Sequence, residues 1–343
     1  MYTNTELLQP LAPSIIQIMR AFLTILPKFQ FAEEAFDWEN DSIGFYNKYA
    51  SLFGFIGLMY LPMVFGLKHY MHTREPLDLK GVLIVWNLLL AVLSAYGAYF
   101  TVPQGWKFIQ DNGFVEGICD TNCYVHPYAV IILLFNLSKM AEFVDTILLR
   151  FRKKPVIFLH WYHHILTMFY CWYGNVVGSL FNCTGWYFAA MNLSVHSIMY
   201  SYYALAAMGY GRAMAKSGLN KIITTIQITQ MFGGIGIIFM STHCDRIDNH
   251  GLVLATVMYV SYLFLFAKLF YDKYAAPRLS KTIAALKKRQ GLAISRLKES
   301  HIIATNRLVE DHHLALKRAL EDELLLSNSD RAARGGVGLK KNK

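Results

Sequence analysis

The sequence predicts an all-α polytopic membrane protein with seven transmembrane helices. Of its 343 residues, 55% are hydrophobic and only 16% are charged, a balance too apolar for a soluble globular protein. Several apolar stretches reach the length of about 20 residues that a helix needs to cross the hydrocarbon core of a bilayer. We place the spans near 49–67, 81–102, 127–149, 156–173, 184–207, 219–240 and 252–272.

We predict no further transmembrane helix before the first span. Residues 1–20 lack a basic stretch followed by an apolar core, so we expect no cleavable signal peptide. The interrupted apolar patch at 15–31 favours an interfacial helix. Within the first span, Pro62 predicts a kink.

The distribution of Lys and Arg predicts the orientation of the spans. Basic residues concentrate on alternate connections, whereas the other connections and the N-terminus are acidic or poor in charge. We therefore expect a lumenal N-terminus and a cytosolic C-terminus. The glycosylation sequons at Asn40 and Asn182 fall on the predicted outer side, while those at Asn136 and Asn192 lie inside spans.

Four of the five cysteines also fall on the predicted oxidising side. They are Cys119, Cys123, Cys183 and Cys244, whereas Cys171 lies within a span. We expect a lumenal disulfide that uses Cys244, and spacing alone leaves its partner open.

The C-terminal region carries most of the net charge of +10. From Lys273 onward there are 16 Lys/Arg against 7 Asp/Glu, a net +9, which favours a membrane surface or an anionic ligand over nucleic acid. Residues 280–326 are typical of an amphipathic helix, predicted to break near Gly291, that lies on the membrane, binds a partner or is simply solvated. The ending Lys340, Lys341, Asn342, Lys343 resembles a dilysine retrieval signal of the endoplasmic reticulum, with a generic basic end as the alternative.

Three histidines in the fourth span give the first indication of chemistry. His160, His163 and His164 fall at roughly 0°, 300° and 40° on a helix, within an arc about 100° wide. Imidazoles that face hydrocarbon are costly, so this face is predicted to line a protein interior or a wet cavity.

Other predicted spans supply polar faces that can meet these histidines. Lys139, Glu142 and Asp145 share one side of the third span, and we assign Asp145 to orienting a histidine. Taken singly, such residues are usually contacts between helices. The faces of the fifth and sixth spans contain Asn192, His196, Tyr200 and Tyr203, then Gln227 and Gln230.

Two kinds of chemistry fit this histidine cluster. Imidazole with carboxylate suits iron or zinc, but a single histidine box plus His196 falls short of the several boxes of a membrane di-iron enzyme. Nucleophilic or general-base chemistry on an acyl group is the better interpretation, because neutral imidazole attacks thioesters and accepts protons near neutral pH. A serine route is not favoured, since the chain has no G-x-S-x-G motif.

Four motifs together resemble the signatures of the ELO family of very-long-chain fatty-acid elongases. HxxHH alone is shared with desaturases, but the order and spacing of all four agree with this family over roughly 45–275. The motifs are KMAEFVDT (139–146), HWYHH (160–164), NLSVHSIMYSYY (192–203) and TTIQITQ (224–230). The forms FLHWYHH and MYSYYAL are most similar to the branch that extends saturated and monounsaturated chains.

The resemblance implies a fold and a reaction. Six helices, arranged as two inverted three-helix units, would form a barrel around a closed acyl tunnel, with the first span outside. Malonyl-CoA and a long-chain acyl-CoA would condense to 3-oxoacyl-CoA, CO2 and CoA, making the protein an acyltransferase that needs no cofactor. The implied domains are a lumenal segment (1–48), a seven-helix elongase domain (49–275) and a cytosolic tail (276–343).

The resemblance also implies a role for each motif residue. His163 would form an acyl-imidazole, with His196 facing it and with His160, His164, Asp145 and Asn192 in support. The groups implied for substrate binding are Lys139, Glu142, Tyr200, Tyr203, Gln227 and Gln230, with Arg152 and Lys153 meeting the CoA phosphates. By the same resemblance, Cys119 would pair with Cys244.

The expected partners follow from the same resemblance. They are malonyl-CoA, acyl-CoA, membrane lipids of the endoplasmic reticulum, and the reductases and dehydratase of the elongation cycle, with a homodimer left open and nucleic acid excluded. The alternatives are a metal-dependent desaturase or hydroxylase, which would hold iron, and a non-enzymatic seven-helix receptor or transporter.

Overall fold

A computed structural model describes residues 38–120, 123–124, 128–177, 183–245 and 248–335. Asn182, Lys340–Lys343 and the first 37 residues of the predicted 1–48 segment lie outside this range, as does the side chain of Asn40. All regular structure in the described residues is helical.

Twelve α-helices follow one another in the described residues. Short π-helical segments lie at Trp38–Ile43 and Tyr271–Ala275, and the chain kinks within Ala206–Tyr210, where Gly209 has a φ of 116°. The α-helices are α1 (Gly44–Lys48), α2 (Ala50–Tyr70), α3 (Lys80–Asn112), α4 (Phe114–Cys119), α5 (Tyr128–Ala141), α6 (Phe143–Phe151), α7 (Phe158–Val177), α8 (Thr184–Leu205), α9 (Gly211–Lys216), α10 (Leu219–Ser241), α11 (Asn249–Phe270) and α12 (Ala276–Gly335).

The chain is a polytopic membrane protein. By length and composition, four of the described helices can cross a membrane: α2, α3, α10 and the helix that starts at Asn249. Helices α7 and α8 are long enough, but histidine, tyrosine and asparagine lower their hydropathy. Their crossing, and that of the third predicted span, stays a prediction.

The third predicted span is interrupted at Glu142. Helix α5 ends at Ala141 and α6 begins at Phe143, so that Glu142 lies at the junction between them. Its backbone stays near helical geometry, with φ −61° and ψ −15°. The interruption lies beside the buried polar groups described below.

The helices before Lys273 pack in a defined order of neighbours. Helix α3 packs mainly on α8, α8 on α10, and α10 on α11. Helix α11 in turn packs on α7, α7 on α5, and α5 on α3, while α2 lies against α6 and α7. The α10–α11 contact is close because Gly234 has no side chain: a Cβ there would lie 1.9 Å from Cε1 of Tyr259.

Two disulfides tie together the segments at one end of these helices. Cys119, at the end of α4, is bonded to Cys244, which follows α10. Cys123 is bonded to Cys183, the residue before α8. The second bond was not predicted from the sequence. We call this the disulfide end, and the opposite end, with the Arg152–Lys154 turn, the basic end.

The predicted break near Gly291 is wrong. The chain divides into two compact units between Asp272 and Lys273, and the second contains α12, which runs without interruption from Ala276 to Gly335. A glycine inside a helix costs only about 1 kcal/mol relative to alanine, and the surrounding Leu, Ala, Lys and Arg residues are strong helix formers.

Asp248 caps the N-terminus of α11 and gives a pH-dependent prediction. Its carboxylate accepts hydrogen bonds from the amides of His250 (3.2 Å) and Gly251 (2.8 Å) and from the hydroxyl of Tyr173 (3.1 Å). Partial burial opposes ionisation, but these hydrogen bonds outweigh it and lower the pKa of Asp248 below its ordinary value.

We expect Asp248→Ala to lower stability by about 0.5–2 kcal/mol at neutral pH. Because the folded pKa is depressed, this contribution is present above the unfolded pKa of about 4 and is lost as the pH falls through the folded value. Thermal unfolding in detergent from about pH 6 to pH 3 checks this prediction. Asp245→Ala, an exposed aspartate nearby, is the control; an equal loss in both variants, or a loss independent of pH, would contradict the capping role.

Candidate active site

A buried ion pair between Lys139 and Glu142 forms the centre of the site. The Lys139 Nζ donates to Glu142 Oε1 at 2.6 Å and to Asn192 Oδ1 at 2.9 Å. The two charged residues are 2% and 3% exposed. A buried charge without a partner costs several kcal/mol, so each of these charges depends on the other to remain in the interior.

Lys139 also determines the orientation of Asn192 and, through it, the tautomer of His196. Because an ammonium group only donates, the Asn192 oxygen must face Lys139, and the Asn192 Nδ2 then faces His196 Nε2 at 3.2 Å. An amide nitrogen only donates, so His196 Nε2 is the acceptor and the proton of a neutral His196 lies on Nδ1. That Nδ1 is 3.7 Å from Glu142 Oε1.

Two histidines of α7 complete the surroundings of the ion pair. His164 Nδ1 lies 3.8 Å from Glu142 Oε2, and the His160 ring lies 4.5 Å from the His164 ring, centroid to centroid. His160 Nε2 is 2.9 Å from Thr146 Oγ1, which also bonds the Tyr60 hydroxyl at 2.7 Å. These contacts hold the His160 ring in place.

The carboxylate that faces the histidines is Glu142 rather than Asp145. The two Asp145 oxygens instead accept hydrogen bonds from the Trp86 indole (2.6 Å) and the Tyr200 hydroxyl (2.8 Å). Asp145 therefore connects α6 to α3 and α8, while Glu142, three residues earlier, turns toward the imidazoles of His164 and His196. The sequence predicted that Asp145 orients a histidine, and these hydrogen bonds to Trp86 and Tyr200 contradict that assignment.

His163 is the histidine that opens onto a cavity. Its ring lies 6.4 Å from the His196 ring and 4.8 Å from the Tyr262 ring, centroid to centroid. Within the described residues its Nδ1 is buried and has no hydrogen-bond partner. The backbone is held by the Tyr262 hydroxyl, which donates to the His163 carbonyl at 2.9 Å and pairs with Thr167 Oγ1 at 2.8 Å.

The cavity beside His163 has a volume of about 40 Å³. Its polar lining includes Asn192 and Gln230, together with Asn136, whose buried Nδ2 also lacks a partner in the described structure. Sequence reasoning treated Asn136 only as an unusable sequon; its position three residues before Lys139, on the same helical face, was the available signal. The apolar lining includes Ile132, Phe135, Phe188, Met231, Met258 and Tyr259.

The remaining predicted site residues lie outside this centre. Tyr200 packs against His196 with ring centroids 5.3 Å apart, whereas Tyr203, 6.3 Å beyond Tyr200, is 43% exposed. Gln227 donates to the Met199 sulfur at 3.4 Å. Arg152 and Lys153 lie in the turn after α6, where the Lys153 ammonium donates to the His72 carbonyl at 3.2 Å.

The arrangement can hold a neutral imidazole next to a substrate carbonyl. Among the described residues, no group of three or more His, Cys, Asp or Glu side chains is placed to hold a metal ion. The site contains a His163 nitrogen without a hydrogen-bond partner and a second imidazole, that of His196, with a defined tautomer. The buried Lys139–Glu142 ion pair positions Asn192 and His196. These are the components of nucleophilic and acid–base chemistry on a carbonyl group.

Fold and site together define an all-helical membrane protein with a buried, histidine-rich centre. Residues 45–282 match the family model described as ELO, the GNS1/SUR4 family. The chain therefore belongs to the ELO family, and the prediction made from its four motifs is confirmed.

The family's curated members include proteins that align with most of this chain. It is 38% identical over 272 residues to "Fatty acid elongase 3" of Trypanosoma brucei brucei, an alignment that spans 68% of this chain and 88% of the relative. It is 35% identical over 286 residues to "Very long chain fatty acid elongase 6" of Drosophila melanogaster (77% and 87%), and 34% identical over 276 residues to the human protein of that name (78% and 100%). These similarities support a role in fatty-acid elongation.

Proposed function

We propose that this protein is a fatty-acid elongase that condenses malonyl-CoA with a long-chain acyl-CoA. The products are 3-oxoacyl-CoA, CO2 and CoA. The observation that carries the proposal is His163: its Nδ1 is buried without a partner at the edge of a mostly apolar cavity, with a second histidine ring 6.4 Å away. The names of the relatives support the substrate class.

The first half-reaction transfers the acyl group to His163. A neutral imidazole nitrogen attacks the thioester carbonyl, the C–N bond forms and the C–S bond breaks. The CoA thiolate leaves and takes the proton that the other nitrogen of His163 gives up. His196 is the second imidazole beside the reacting carbonyl, with its ring centroid 6.4 Å from that of His163. His160, His164 and Asn192 keep the rings in position.

The second half-reaction forms the new carbon–carbon bond. Malonyl-CoA loses CO2, and its α-carbon attacks the acyl carbonyl while the C–N bond to His163 breaks. The released imidazolate takes one proton from solvent, the proton that the overall condensation consumes, and His163 returns to its neutral state. Decarboxylation of malonyl-CoA drives this step. The scheme as proposed uses no metal or redox cofactor.

The CoA moiety binds at the basic end of the helices in this proposal. Arg152, Lys153, Lys154, Arg212 and Lys216 lie there, and the last four are exposed. Cationic side chains pair with phosphates through charge-assisted hydrogen bonds. Tyr200, Tyr203 and Gln227 lie between this end and the centre, where they would contact the pantetheine arm.

We further propose that six helices surround the site as a barrel of two inverted three-helix units. The packing order α3, α8, α10, α11, α7, α5 and back to α3 supports this arrangement, with α2 outside on α6 and α7. An acyl tunnel would extend from the His163 cavity. Location in the endoplasmic reticulum, a lumenal disulfide end and a cytosolic basic end complete the proposal; disulfides at one end and basic side chains at the other support this orientation.

An elongation assay tests the proposed function. Purified protein in phosphatidylcholine nanodiscs receives labelled malonyl-CoA and acyl-CoA substrates from eight to twenty carbons. We expect a 3-oxoacyl-CoA two carbons longer, with one CO2 and one CoA released per product. Lack of product at every length would reject the proposal, and stoichiometric iron with oxygen-dependent turnover would favour the desaturase alternative.

A further inference from the structure

The first part of α12, residues 276–298, differs in charge from the part that follows it. It contains seven Lys and Arg residues and no Asp or Glu, whereas residues 299–324 contain three Lys and Arg against six Asp and Glu. The net charge is therefore +7 in the first part and −3 in the second, with histidine neutral. We call residues 276–298 the basic segment.

Large apolar side chains form one stripe along the basic segment. They fall within an arc of about 80° on a helix of 3.6 residues per turn. Each is between 44% and 69% exposed, and they are Leu279, Ile283, Leu286, Ile294 and Leu297. The described part of the chain therefore leaves this stripe open to another surface.

Basic side chains border the stripe on both sides. One edge carries Arg278, Arg289 and Arg296, the other carries Lys287 and Lys298, and all five are exposed. Long Lys and Arg side chains at such positions lay their methylene stems over apolar surface while their charged ends stay in water. An apolar stripe with cations along both edges is typical of helices that lie in the headgroup region of a bilayer.

The basic segment follows a helix that is long and apolar enough to cross a membrane. Only residues 271–275 separate the end of α11 at Phe270 from the start of α12. For the segment to lie along a bilayer surface the chain must turn here. Pro277 makes that turn less costly, because it has no backbone N–H to donate to the carbonyl of Lys273. Covalent connectivity therefore keeps the start of the segment near the membrane surface.

We propose that the basic segment binds the surface of a bilayer that contains anionic phospholipids. The apolar stripe enters the headgroup region, and the cations on both edges pair with the charged groups of the lipids. This interaction lies outside the proposed catalytic function and does not depend on it.

A second copy of α12 fits the stripe less well than a bilayer does. The second part of the helix carries its apolar residues on a different face: Ile302, Val309 and Leu316 lie about 100–140° around the helix from Leu279. A partner helix along the whole of α12 would therefore lose contact with one of these two faces. A bilayer needs only the first part, and its anionic lipids repel the acidic second part.

Hydrogen–deuterium exchange of the full chain tests this proposal, because amide exchange slows where binding stabilises a helix. The chain is placed in nanodiscs of phosphatidylcholine alone or with about one quarter phosphatidylserine. In the anionic discs we expect exchange in 276–298 to slow by about tenfold or more and to recover in about 0.5 M NaCl, with exchange in 299–324 unchanged. Exchange in 276–298 that does not depend on phosphatidylserine would overturn the proposal, as would equal slowing of both parts, the result expected of pairing between two copies.

A matched pair of double variants locates the contact on the helix. Helix α12 has two adjacent Lys–Arg pairs, Lys288–Arg289 in the basic segment and Lys317–Arg318 in the second part, and all four side chains are exposed. Each cation near an anionic surface contributes about fivefold to the binding equilibrium, and glutamine preserves helix propensity. Lys288→Gln with Arg289→Gln should therefore reduce the lipid-dependent slowing in 276–298 by about fivefold or more. Lys317→Gln with Arg318→Gln should leave it unchanged; an equal loss in both double variants, or no loss in either, would contradict the site.

Discussion

Replacing His163 with glutamine should abolish condensation while the protein still folds. Glutamine keeps a polar side chain of similar reach but has no basic nitrogen that can carry an acyl group. We expect kcat to fall by about 10³-fold or more, the loss typical when the group that forms the covalent intermediate is removed. CO2 release from labelled malonyl-CoA in the presence of palmitoyl-CoA is the measurement.

Other histidines provide the controls for His163. His243→Gln changes an exposed histidine at the disulfide end and should retain wild-type activity. His160→Gln should lose only part of the activity, because this ring supports the site through its contact with Thr146. Substantial turnover by His163→Gln, or an equal loss in the His160 and His163 variants, would contradict a unique covalent role for His163.

Replacing Lys139 with methionine should produce the largest loss of stability. The substitution keeps the length of the side chain but leaves the Glu142 carboxylate buried without its ammonium partner, 2.6 Å away in the intact site. Breaking a buried pair from one side costs about 3–5 kcal/mol, which lowers the melting temperature by about 4–7 °C for a chain of this size. Lys107→Met, which removes an exposed lysine, is the matched control.

A double-mutant cycle distinguishes the ion pair from general disruption. Adding Glu142→Met to Lys139→Met removes the unpaired charge, so the double variant should be more stable than Lys139→Met alone. It should remain inactive, because the Asn192 amide loses the cation that orients it toward His196. A double variant whose instability equals the sum of the two single losses would show that the charges are not coupled.

Periodicity within single helices predicted much of the site. Predicted span 184–207 corresponds to α8 at Thr184–Leu205, and the face that was assigned to Asn192, His196 and Tyr200 does meet the Lys139–Glu142 pair. Four motifs in the right order were enough to identify the family. Polar residues within a membrane helix are costly in hydrocarbon, so their pattern indicates a functional site.

Contacts between helices were beyond the reach of the same reasoning. Helical spacing shows which residues share a face, but the rotation of one helix against the next decides which of them meet. Thus Asp145 was expected beside a histidine, yet it accepts hydrogen bonds from Trp86, 59 residues away, and from Tyr200. The junction at Glu142, which turns that carboxylate toward His164 and His196, follows from packing among several helices and not from a local breaker residue.

The disulfides show the same limit. The sequence placed four cysteines on one side of the membrane but offered several pairings among them. The bond between Cys123 and Cys183 depends on the segment after α4 and the start of α8 meeting at one end of the bundle. The sequence gives no local signal for that meeting.

Intact mass spectrometry after incubation with palmitoyl-CoA alone tests the central claim most directly. Without malonyl-CoA the second half-reaction cannot proceed, so the acyl group should remain on the protein. We expect the wild-type chain to gain the mass of one palmitoyl group, which peptide mapping locates at His163 and which malonyl-CoA removes as 3-oxoacyl-CoA. An unmodified wild-type protein that nevertheless condenses both substrates, or an equal adduct on His163→Gln, would contradict the proposed acyl-imidazole mechanism.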